Sequence, residues 1–370
     1  MRVLLITGSF PPDKCGVGDY TWRLAEQLSK QAGVVVAVAT SSNIDIPTGG
    51  MQYEVFRPVK QWSLREWPLM WKLFGVWKPD IVHVQYPTQG YERGLLPPLL
   101  PWLAYLHGVK VVQTWHEVYR RVGIRGLVRF LPKALVRGGL VVVRPKFRET
   151  THWPWRWVFH NKILRFVENA SPMPPAILNA DERSAIRAKF GAEGKRLIGF
   201  FGFLYPPKRV ELLFSLCNPA TDRVVIVGAM SDDDPYHRSI LNLSESDAWK
   251  GKTSITGFLP GEEASRIIAA LDALVLPFKG GGGEWNTSIH SAVAQGTFVL
   301  TTSMEREGYD ERSNIFFARP DDLDSMRQAL DRYAGTRGRV DVGAFSEKWS
   351  AIARSHVALY SALLNVAAPA

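Results

Sequence analysis

Short apolar runs alternate with helix-like segments along nearly the whole chain. Most of the runs are near-continuous stretches of Val, Ile and Leu rather than alternations of apolar and polar residues, which is typical of strands buried on both faces of a sheet. Helical segments between such strands indicate parallel βαβ units. The candidate strands include RVLLITGSF, VVVAVAT, YEVFRPV, DIVHVQYP, KVVQTWHE and GLVVVRP, followed by RLIGFFGF, RVVIVGA, TSITGF, ALVLPF, TFVLTTS and IFFARP. The pattern predicts an α/β fold built from doubly wound parallel sheets.

The chain has 370 residues, which is more than one hydrophobic core usually supports, so two domains are expected. The stretch 169–178, NASPMPPAIL, is proline-rich and has neither helical nor strand periodicity, as domain boundaries often do. We therefore predict one Rossmann-like domain over residues 1–172 and a second over 173–345. A last helix-like stretch lies within residues 346–370.

Positive charge is concentrated in the first half of the chain. Residues 1–172 carry a net charge of +12 and residues 173–370 one of −2, and ten of the thirteen tryptophans lie in the first part. A basic, tryptophan-rich domain is typical of a protein that faces an anionic surface. A solvated basic face over core tryptophans explains the same asymmetry equally well. No apolar run approaches the roughly 20 residues needed to span a bilayer, so an integral membrane protein is not expected.

Two segments each follow a strand candidate and open a helix-like run. FLYPPKRV carries Lys208, and GGGGEWNTSIHSAVAQG carries Asn286, Thr287 and Ser288 at the predicted start of a helix. The carboxyl ends of parallel strands meet at one edge of a sheet, where α/β proteins bind ligands. An ammonium group and the free N–H groups of a helix N-terminus both suit a diphosphate. The alternatives are a surface lysine beside the Pro206–Pro207 turn and an ordinary helix cap.

Five stretches occur in an order that is typical of one enzyme family. They are GSFPPDKCGVGDYTWRLAEQL, VVQTWHE, FGFLYPPKRVELL, ITGFLPGEEASRIIAALDALVLPF and AVAQGTFVLTTS. With them the chain resembles the retaining glycosyltransferases of the GT-B fold, specifically the family 4 type (glycosyl transferases group 1). The resemblance implies two Rossmann-like domains that face each other across a cleft, with the acceptor domain over 1–172 and the nucleotide-sugar donor domain over 173–345. It also implies that the helix within 346–370 crosses back to the first domain.

The resemblance gives three residues catalytic roles. Lys208 matches the family lysine that binds the donor diphosphate, where an ammonium can neutralise charge on the leaving group. His116 ends a strand in QTWHE and matches a histidine near the donor sugar, although a structural histidine is the alternative. Glu284 stands one residue from the first glutamate of the family's carboxylate motif, within reach of the sugar hydroxyls.

The same resemblance implies further donor-binding positions. Ser291 occupies the place of the motif's second glutamate, as a weaker partner for a ribose. Phe203 stands where the family often has an arginine, which leaves Arg209 as the candidate for the second diphosphate contact. The turn beside the nucleotide base corresponds to Phe258 and Leu259. A loop near the diphosphate or acceptor corresponds to Gly16 and Gly18, for which a tight turn is an equal explanation.

A basic stripe follows His116 in the sequence. Residues 120–165 contain twelve basic residues and one acidic residue, and five of the basic residues recur every fourth position, which forms a ridge on a helix. The ridge comprises Arg121, Arg125, Arg129, Lys133 and Arg137, and Trp153 and Trp155 follow it. Basic side chains beside tryptophans suit an anionic lipid interface. A solvated face is the alternative, and nucleic acid is the least favoured partner because no nucleic-acid module accompanies the stripe.

These observations predict an enzyme that transfers a sugar from a nucleotide-diphosphate sugar to an acceptor hydroxyl with retention. The expected acceptor is a lipid-linked saccharide used in cell-surface polysaccharide synthesis, and the expected location is cytoplasmic, peripheral on the inner face of the membrane. The nucleotide sugar is a co-substrate, and neither a cofactor nor a metal is expected. Two alternatives remain: a glycosyltransferase acting on a small soluble acceptor, and a non-catalytic protein that binds a nucleotide sugar or a lipid.

Overall fold

A computed structural model of the chain describes residues 1–44, 50–92, 94–117, 124–151, 153–283 and 285–365. Inter-residue contacts divide the chain into two compact units. The first unit comprises Met1–Glu168 together with the chain from Ser346 onward, and the second comprises Asn169–Phe345. Each unit contains its own sheet and its own hydrophobic core.

The strands fall into two sheets of seven. They are β1 Arg2–Ile6, β2 Val35–Ser41, β3 Glu54–Val59, β4 Ile81–Tyr86, β5 Lys110–Trp115, β6 Gly138–Val142, β7 Lys162–Phe166, β8 Arg196–Phe201, β9 Asp222–Val227, β10 Thr253–Gly257, β11 Ala273–Leu276, β12 Val299–Thr302, β13 Gly308–Asp310 and β14 Ile315–Ala318. The helices are α1 Gly16–Ser29, α2 Trp67–Trp77, α3 Leu100–Leu106, α4 Ile124–Leu135, α5 Phe147–Thr150, α6 Ala180–Lys189, α7 Leu213–Leu216, α8 Pro235–Ser244, α9 Gly261–Ala270, α10 Thr287–Ala294, α11 Leu323–Tyr333 and α12 Val342–Leu364.

The first sheet has the strand order β3-β2-β1-β4-β5-β6-β7, and its neighbouring strands are all parallel. The central strand β1 pairs with β2 on one side and β4 on the other, with Val3 opposite Val36 and Ile81. All six residues of β4 are buried, including the polar His83 and Gln85, as expected of a strand covered on both faces. The strand order therefore reverses between β1 and β4, as in a doubly wound fold.

The second sheet repeats this order as β10-β9-β8-β11-β12-β14, with β13 added as an antiparallel edge strand. The central strand β8 pairs with β9 and β11, and Ile198 lies opposite Val224 and Ala273. The predicted α/β class with two doubly wound parallel sheets is confirmed.

The strand candidates from the sequence omitted β7 and β13 because both lie at a sheet edge, where a short or partly exposed strand lacks the continuous apolar pattern.

The last helix belongs largely to the first unit. Trp349 is 1% exposed and its ring lies 5.5 Å from that of Tyr20 in α1. Further along, Leu359 packs on Gly139 of β6 so closely that a Cβ at Gly139 would lie 3.1 Å from a Leu359 methyl carbon. These contacts pack α12 against α1 and the first sheet.

Replacing Trp349 with alanine should therefore destabilise the first unit by about 3–5 kcal/mol, because it leaves a large cavity under α12. Trp153 is 76% exposed, so Trp153→Ala is the matched control and should change stability by no more than about 0.5 kcal/mol. Urea unfolding followed by circular dichroism measures both variants. Equal shifts of the two unfolding midpoints would show that α12 does not stabilise this unit.

Candidate functional site

The switch point of the second sheet brings together the two segments that are predicted to bind a diphosphate. Strand order reverses between β8 and β11, which are hydrogen-bonded neighbours. Lys208 lies in the segment that follows β8, and α10 begins after the segment that follows β11. Ligands of open α/β sheets bind at this position, outside the carboxyl ends of the strands. The topology therefore places Lys208 and the start of α10 at the same edge.

Gly202, the first residue after β8, lies next to the Lys208 ammonium and the Ser288 hydroxyl. A Cβ on Gly202 would lie 3.0 Å from Lys208 Nζ and 3.0 Å from Ser288 Oγ, so these two atoms are at most 6.0 Å apart. Its φ of +128° is also a conformation that other residues rarely adopt. Sequence reasoning did not select Gly202, although a glycine directly after an apolar strand is a recognised signal of close backbone approach.

The Lys208 ammonium is poorly solvated. Its Nζ lies 5.9 Å from the ring centroid of Phe200 and 6.0 Å from that of Phe278. Among the residues that the structure describes, no carboxylate forms an ion pair with Lys208, and burial lowers its pKa to about 8. Burying a cation without a partner is unfavourable, so an anion bound at Nζ would offset the lost hydration.

The N-terminus of α10 is partly occupied by its own cap. Asn286 is the N-cap, and its side-chain oxygen accepts from Ser288 N at 3.0 Å. The Asn286 N–H donates to Gly283 O at 3.0 Å. Of the three amides predicted to face a diphosphate, only that of Thr287 has no hydrogen-bond partner among the described residues. The Ser288 hydroxyl beside Lys208 and the Thr287 amide are thus the donors most directly available.

The glycine-rich segment before α10 packs tightly against its neighbours. Gly281 has a φ of +81°, and Gly282 N donates to Thr302 O at 2.6 Å. A Cβ on Gly283 would lie 1.7 Å from an indole carbon of Trp285, so the indole covers this glycine. Glu284, the predicted carboxylate, lies outside the described residues.

Two other predicted donor contacts already have partners within the second unit. Arg209 has a left-handed backbone, and its guanidinium forms an ion pair with Asp321. Ser291 is fully buried, and its hydroxyl donates to Thr287 O at 2.8 Å within α10. Contact with a ligand would require Arg209 to leave Asp321 and Ser291 to become exposed, so this geometry does not favour either role.

The predicted base turn follows β10, next to β9 in the second sheet. Phe258 is 39% exposed and Leu259 is half-buried, directly after Gly257 with a φ of +73°. An exposed aromatic ring at the carboxyl end of a strand is suited to stacking against a base. The roles of both residues stay predictions.

The first unit holds His116 in a fixed, desolvated position. His116 follows β5, and its backbone N donates to Tyr86 O at 2.8 Å. Its Nε2 lies 3.0 Å from Gln85 Oε1, and its ring meets that of Tyr20 edge-on at 5.0 Å. Burial lowers the pKa of His116 to about 3, so the imidazole is neutral at physiological pH. A neutral imidazole can hydrogen-bond a sugar hydroxyl without introducing charge.

Two fully buried histidines lie close together in this unit, and His116 lies near them. The His83 ring lies 5.5 Å from that of His356 in α12, and both side chains are fully buried. Burial lowers the pKa of His83, and it lowers the pKa of His356 to about 4. Together with His116 these residues form a polar cluster that is neutral in the folded protein.

Gly16 and Gly18 differ in their surroundings. A Cβ on Gly18 would lie 2.9 Å from Ser9 O, so α1 packs directly on the loop after β1. A Cβ on Gly16 would meet no atom within 4 Å. Gly18 is therefore explained by packing, and the space beside Gly16 is open.

The predicted basic ridge is not one continuous surface. Lys133 is only 6% exposed, and its Nζ lies 4.3 Å from the centroid of the Tyr86 ring. Lys133 therefore points into the first unit and does not face a membrane. Arg137 is exposed, and Trp153 is 76% exposed. The other predicted positions lie outside the described residues or side chains, namely Arg121, Arg125, Arg129 and Trp155.

Neither a metal site nor a membrane span is found within the described part of the chain. No group of three or more His, Cys, Asp or Glu side chains there could hold a metal ion. None of the described helices has the length and hydropathy needed to cross a bilayer.

Comparison with known proteins connects this geometry to a class of enzymes. Residues 15–173, somewhat less than half of the chain, match the family model described as Glycosyltransferase Family 4. No curated protein matches the sequence.

Similar solved structures include sucrose-phosphate synthase from Thermosynechococcus elongatus, with 16% identity, a TM-score of 0.73 and 99% of both chains covered. Anabaena HepE in complex with UDP-glucose has 14% identity and a TM-score of 0.67, covering 99% of this chain and 96% of the other. WaaG, a glycosyltransferase involved in lipopolysaccharide biosynthesis, has 16% identity and a TM-score of 0.61, covering 99% and 98%. These likenesses confirm the predicted GT-B fold class.

The histidine cluster predicts that stability decreases on acidification. In the unfolded chain histidine titrates near its ordinary pKa of 6.5, whereas in the folded protein His116 and His356 titrate at about 3 and about 4. Between pH 6.5 and about 4 the unfolded chain therefore binds more protons, and the free energy of unfolding falls as the pH falls. The buried His356 alone contributes up to about 1.4 kcal/mol per pH unit.

His356→Leu removes one of these titrating groups, so its pH dependence between about pH 6 and 4.5 should be shallower than that of the wild type. His160 is exposed, and His160→Leu serves as the control that should keep the wild-type slope. Urea unfolding at a series of pH values measures this. A His356→Leu slope equal to that of the wild type would contradict the assignment of a neutral buried imidazole.

Proposed function

We propose that this protein is a glycosyltransferase that transfers a sugar from a nucleotide-diphosphate sugar to an acceptor hydroxyl. The observation that carries the proposal is the desolvated Lys208 ammonium, which lies beside Ser288 over Gly202 without a carboxylate partner among the described residues. The family match over residues 15–173 and the likeness to the HepE complex with UDP-glucose support the same conclusion. A buried lysine with a purely structural role is usually paired with a carboxylate.

Lys208 would act on the leaving group. Negative charge builds up on the diphosphate as the glycosidic bond breaks, and a fixed cation in a site of low polarity stabilises that charge strongly. The Ser288 hydroxyl, the Thr287 amide and the positive end of α10 add to this stabilisation. Because Lys208 has a pKa of about 8, its ammonium is mostly protonated at neutral pH.

The sugar itself would be recognised by His116 and Glu284. His116 is neutral and held at Nε2 by Gln85, so it is suited to hydrogen-bonding a hydroxyl of the donor sugar. Retention of the anomeric configuration is part of the proposal, because the sequence resembles retaining enzymes. The anomeric configuration of the product, read by NMR before it equilibrates, tests retention independently of the site residues.

A lipid-linked saccharide is the proposed acceptor. The first unit exposes Trp153, Trp157, Ile163 and Phe166 around the edge strand β7, with Arg137 nearby in sequence and exposed. Asn161 Nδ2 donates to Leu135 O at 2.9 Å, which joins the end of α4 to the segment before β7. A surface of aromatic, aliphatic and basic groups suits an anionic lipid headgroup layer, and WaaG acts in lipopolysaccharide biosynthesis.

Nucleotide binding tests the diphosphate site. A thermal-shift panel of UDP, ADP, GDP and dTDP should contain one nucleotide that stabilises the protein by about 2.7 kcal/mol at 100 times its Kd. Lys208→Met should weaken that binding roughly 10- to 100-fold, because a charge-assisted hydrogen bond is lost. The unliganded variant should be at least as stable as the wild type, because a poorly solvated cation has been removed.

Lys195→Met is the matched control for Lys208→Met. Lys195 immediately precedes β8, at the opposite end of the strand from Lys208, and its ammonium donates to Ala220 O at 2.6 Å. The control loses the same charge from the same unit and should bind nucleotide as the wild type does. Equal loss of nucleotide binding in both variants would show that binding depends on the net charge of the unit and not on the position of Lys208. A wild type that binds a nucleotide sugar but turns over none in the presence of acceptors would favour a non-catalytic binding protein.

Membrane docking is tested by co-sedimentation with vesicles that contain phosphatidylglycerol. Arg137→Gln should weaken binding roughly five-fold, since one basic residue near an anionic surface contributes about 1 kcal/mol. Arg339→Gln, an exposed charge change in the second unit, should have no such effect. Binding that is absent, or that does not weaken with added salt, would instead favour a soluble acceptor.

A further inference from the structure

A buried chain of hydrogen bonds connects the last helix to His116. It begins at Tyr360 in α12, whose hydroxyl lies 2.7 Å from His83 Nδ1. His83 Nε2 lies 2.7 Å from Thr114 Oγ1 and 3.2 Å from Gln85 Nε2. Gln85 Oε1 then lies 3.0 Å from His116 Nε2. Except for His116, every side chain in this series of hydrogen bonds is fully buried, so solvent does not compete for these contacts.

The strands explain why these side chains meet. His83 and Gln85 are two residues apart on β4 and therefore lie on the same face of the sheet. Thr114 of the neighbouring β5 is directly opposite Gln85 in the parallel register. His116 follows two residues after Thr114. The face is closed by α12, which supplies Tyr360.

The two ends of the Gln85 amide determine where protons reside. An amide oxygen can only accept, so the His116 nitrogen that it faces, Nε2, must carry the proton. An amide nitrogen can only donate, so the His83 nitrogen that it faces, Nε2, must be unprotonated. His83 then donates from Nδ1 to the Tyr360 hydroxyl, and Thr114 donates to His83 Nε2. All of these contacts are satisfied by neutral imidazoles, as expected from the lowered pKa of His83.

We propose that Gln85 is a positioning residue that fixes His116 as its Nε2–H tautomer and keeps His116 Nδ1 as a hydrogen-bond acceptor for a substrate hydroxyl. Nδ1 has no partner among the described residues, and His116 is the one residue of these hydrogen-bonded side chains that is not fully buried. The last helix takes part because Tyr360 holds the far end of the chain. This inference rests on the proposed function, because the substrate hydroxyl is taken to belong to a glycosyl donor.

The matched pair of variants is Gln85→Met and Gln113→Met. Gln113 is 1% exposed on β5. Its Nε2 donates to Lys133 O at 2.8 Å and its Oε1 accepts from the Trp115 indole N–H at 3.1 Å, and neither of these bonds involves His116. Both substitutions remove a buried amide of the same size from adjacent strands. A general loss of packing or stability would therefore appear in both variants.

The tautomer is measured directly by long-range 1H–15N spectra of protein labelled at histidine nitrogens, with His116→Ala used to assign the signals. We expect a protonated Nε2 and an unprotonated Nδ1 at His116 in the wild type and in Gln113→Met. In Gln85→Met the two nitrogens should show mixed tautomers. An Nδ1–H tautomer in the wild type, or an unchanged spectrum in Gln85→Met, would overturn the inference.

Kinetics provide the second readout, with UDP-glucose as the probe donor. Gln85→Met should lower kcat/KM for donor hydrolysis roughly ten-fold, whereas Gln113→Met should change it less than about two-fold. Equal losses in the two variants would indicate a structural role only and contradict the inference. No turnover of any nucleotide sugar, with the tautomer still disturbed only in Gln85→Met, would support the positioning of His116 and contradict the proposed function.

Discussion

The interpretation of the second unit depends on the desolvated Lys208 ammonium, which forms no ion pair with any carboxylate that the structure describes. Strand order reverses between β8 and β11, so the segments after both strands must meet at one point. Gly202 lets Lys208 Nζ and Ser288 Oγ approach the backbone there. The result is a desolvated cation beside the start of a helix, an arrangement that is unfavourable when empty and favourable with a bound anion.

The two sheets share their topology but fill their switch points differently. In the first unit the loops after β1 and β4 interlock, since Gly8 N donates to Thr88 Oγ1 at 3.0 Å and Gly90 N donates to Ser9 Oγ at 2.7 Å. In the second unit the corresponding position holds Lys208. The first unit instead offers neutral groups, of which His116 is the partly exposed member, and this division suits charge stabilisation in one unit and hydroxyl recognition in the other.

The α/β class and the approach of Lys208 to α10 could be predicted because strand runs, a lysine loop and a capping sequence are local signals. The burial of Lys133 could not be predicted from its spacing. Residues four apart are offset by about 40° on a helix, so a ridge with this spacing drifts around the helix and does not stay on one face. The contact of Tyr360 with His83 spans 277 positions in sequence and follows only from the placement of α12. The sequence indicates that a polar residue caps the start of α10. It does not show that the cap is Asn286 or that its side-chain oxygen accepts from the Ser288 amide.

A crystal structure with bound UDP tests the central claim most directly. The account predicts that diphosphate oxygens lie within hydrogen-bonding distance of Lys208 Nζ, over Gly202 and beside the first turn of α10. A diphosphate bound instead at the amino ends of the second sheet, for example near Arg196, would contradict it.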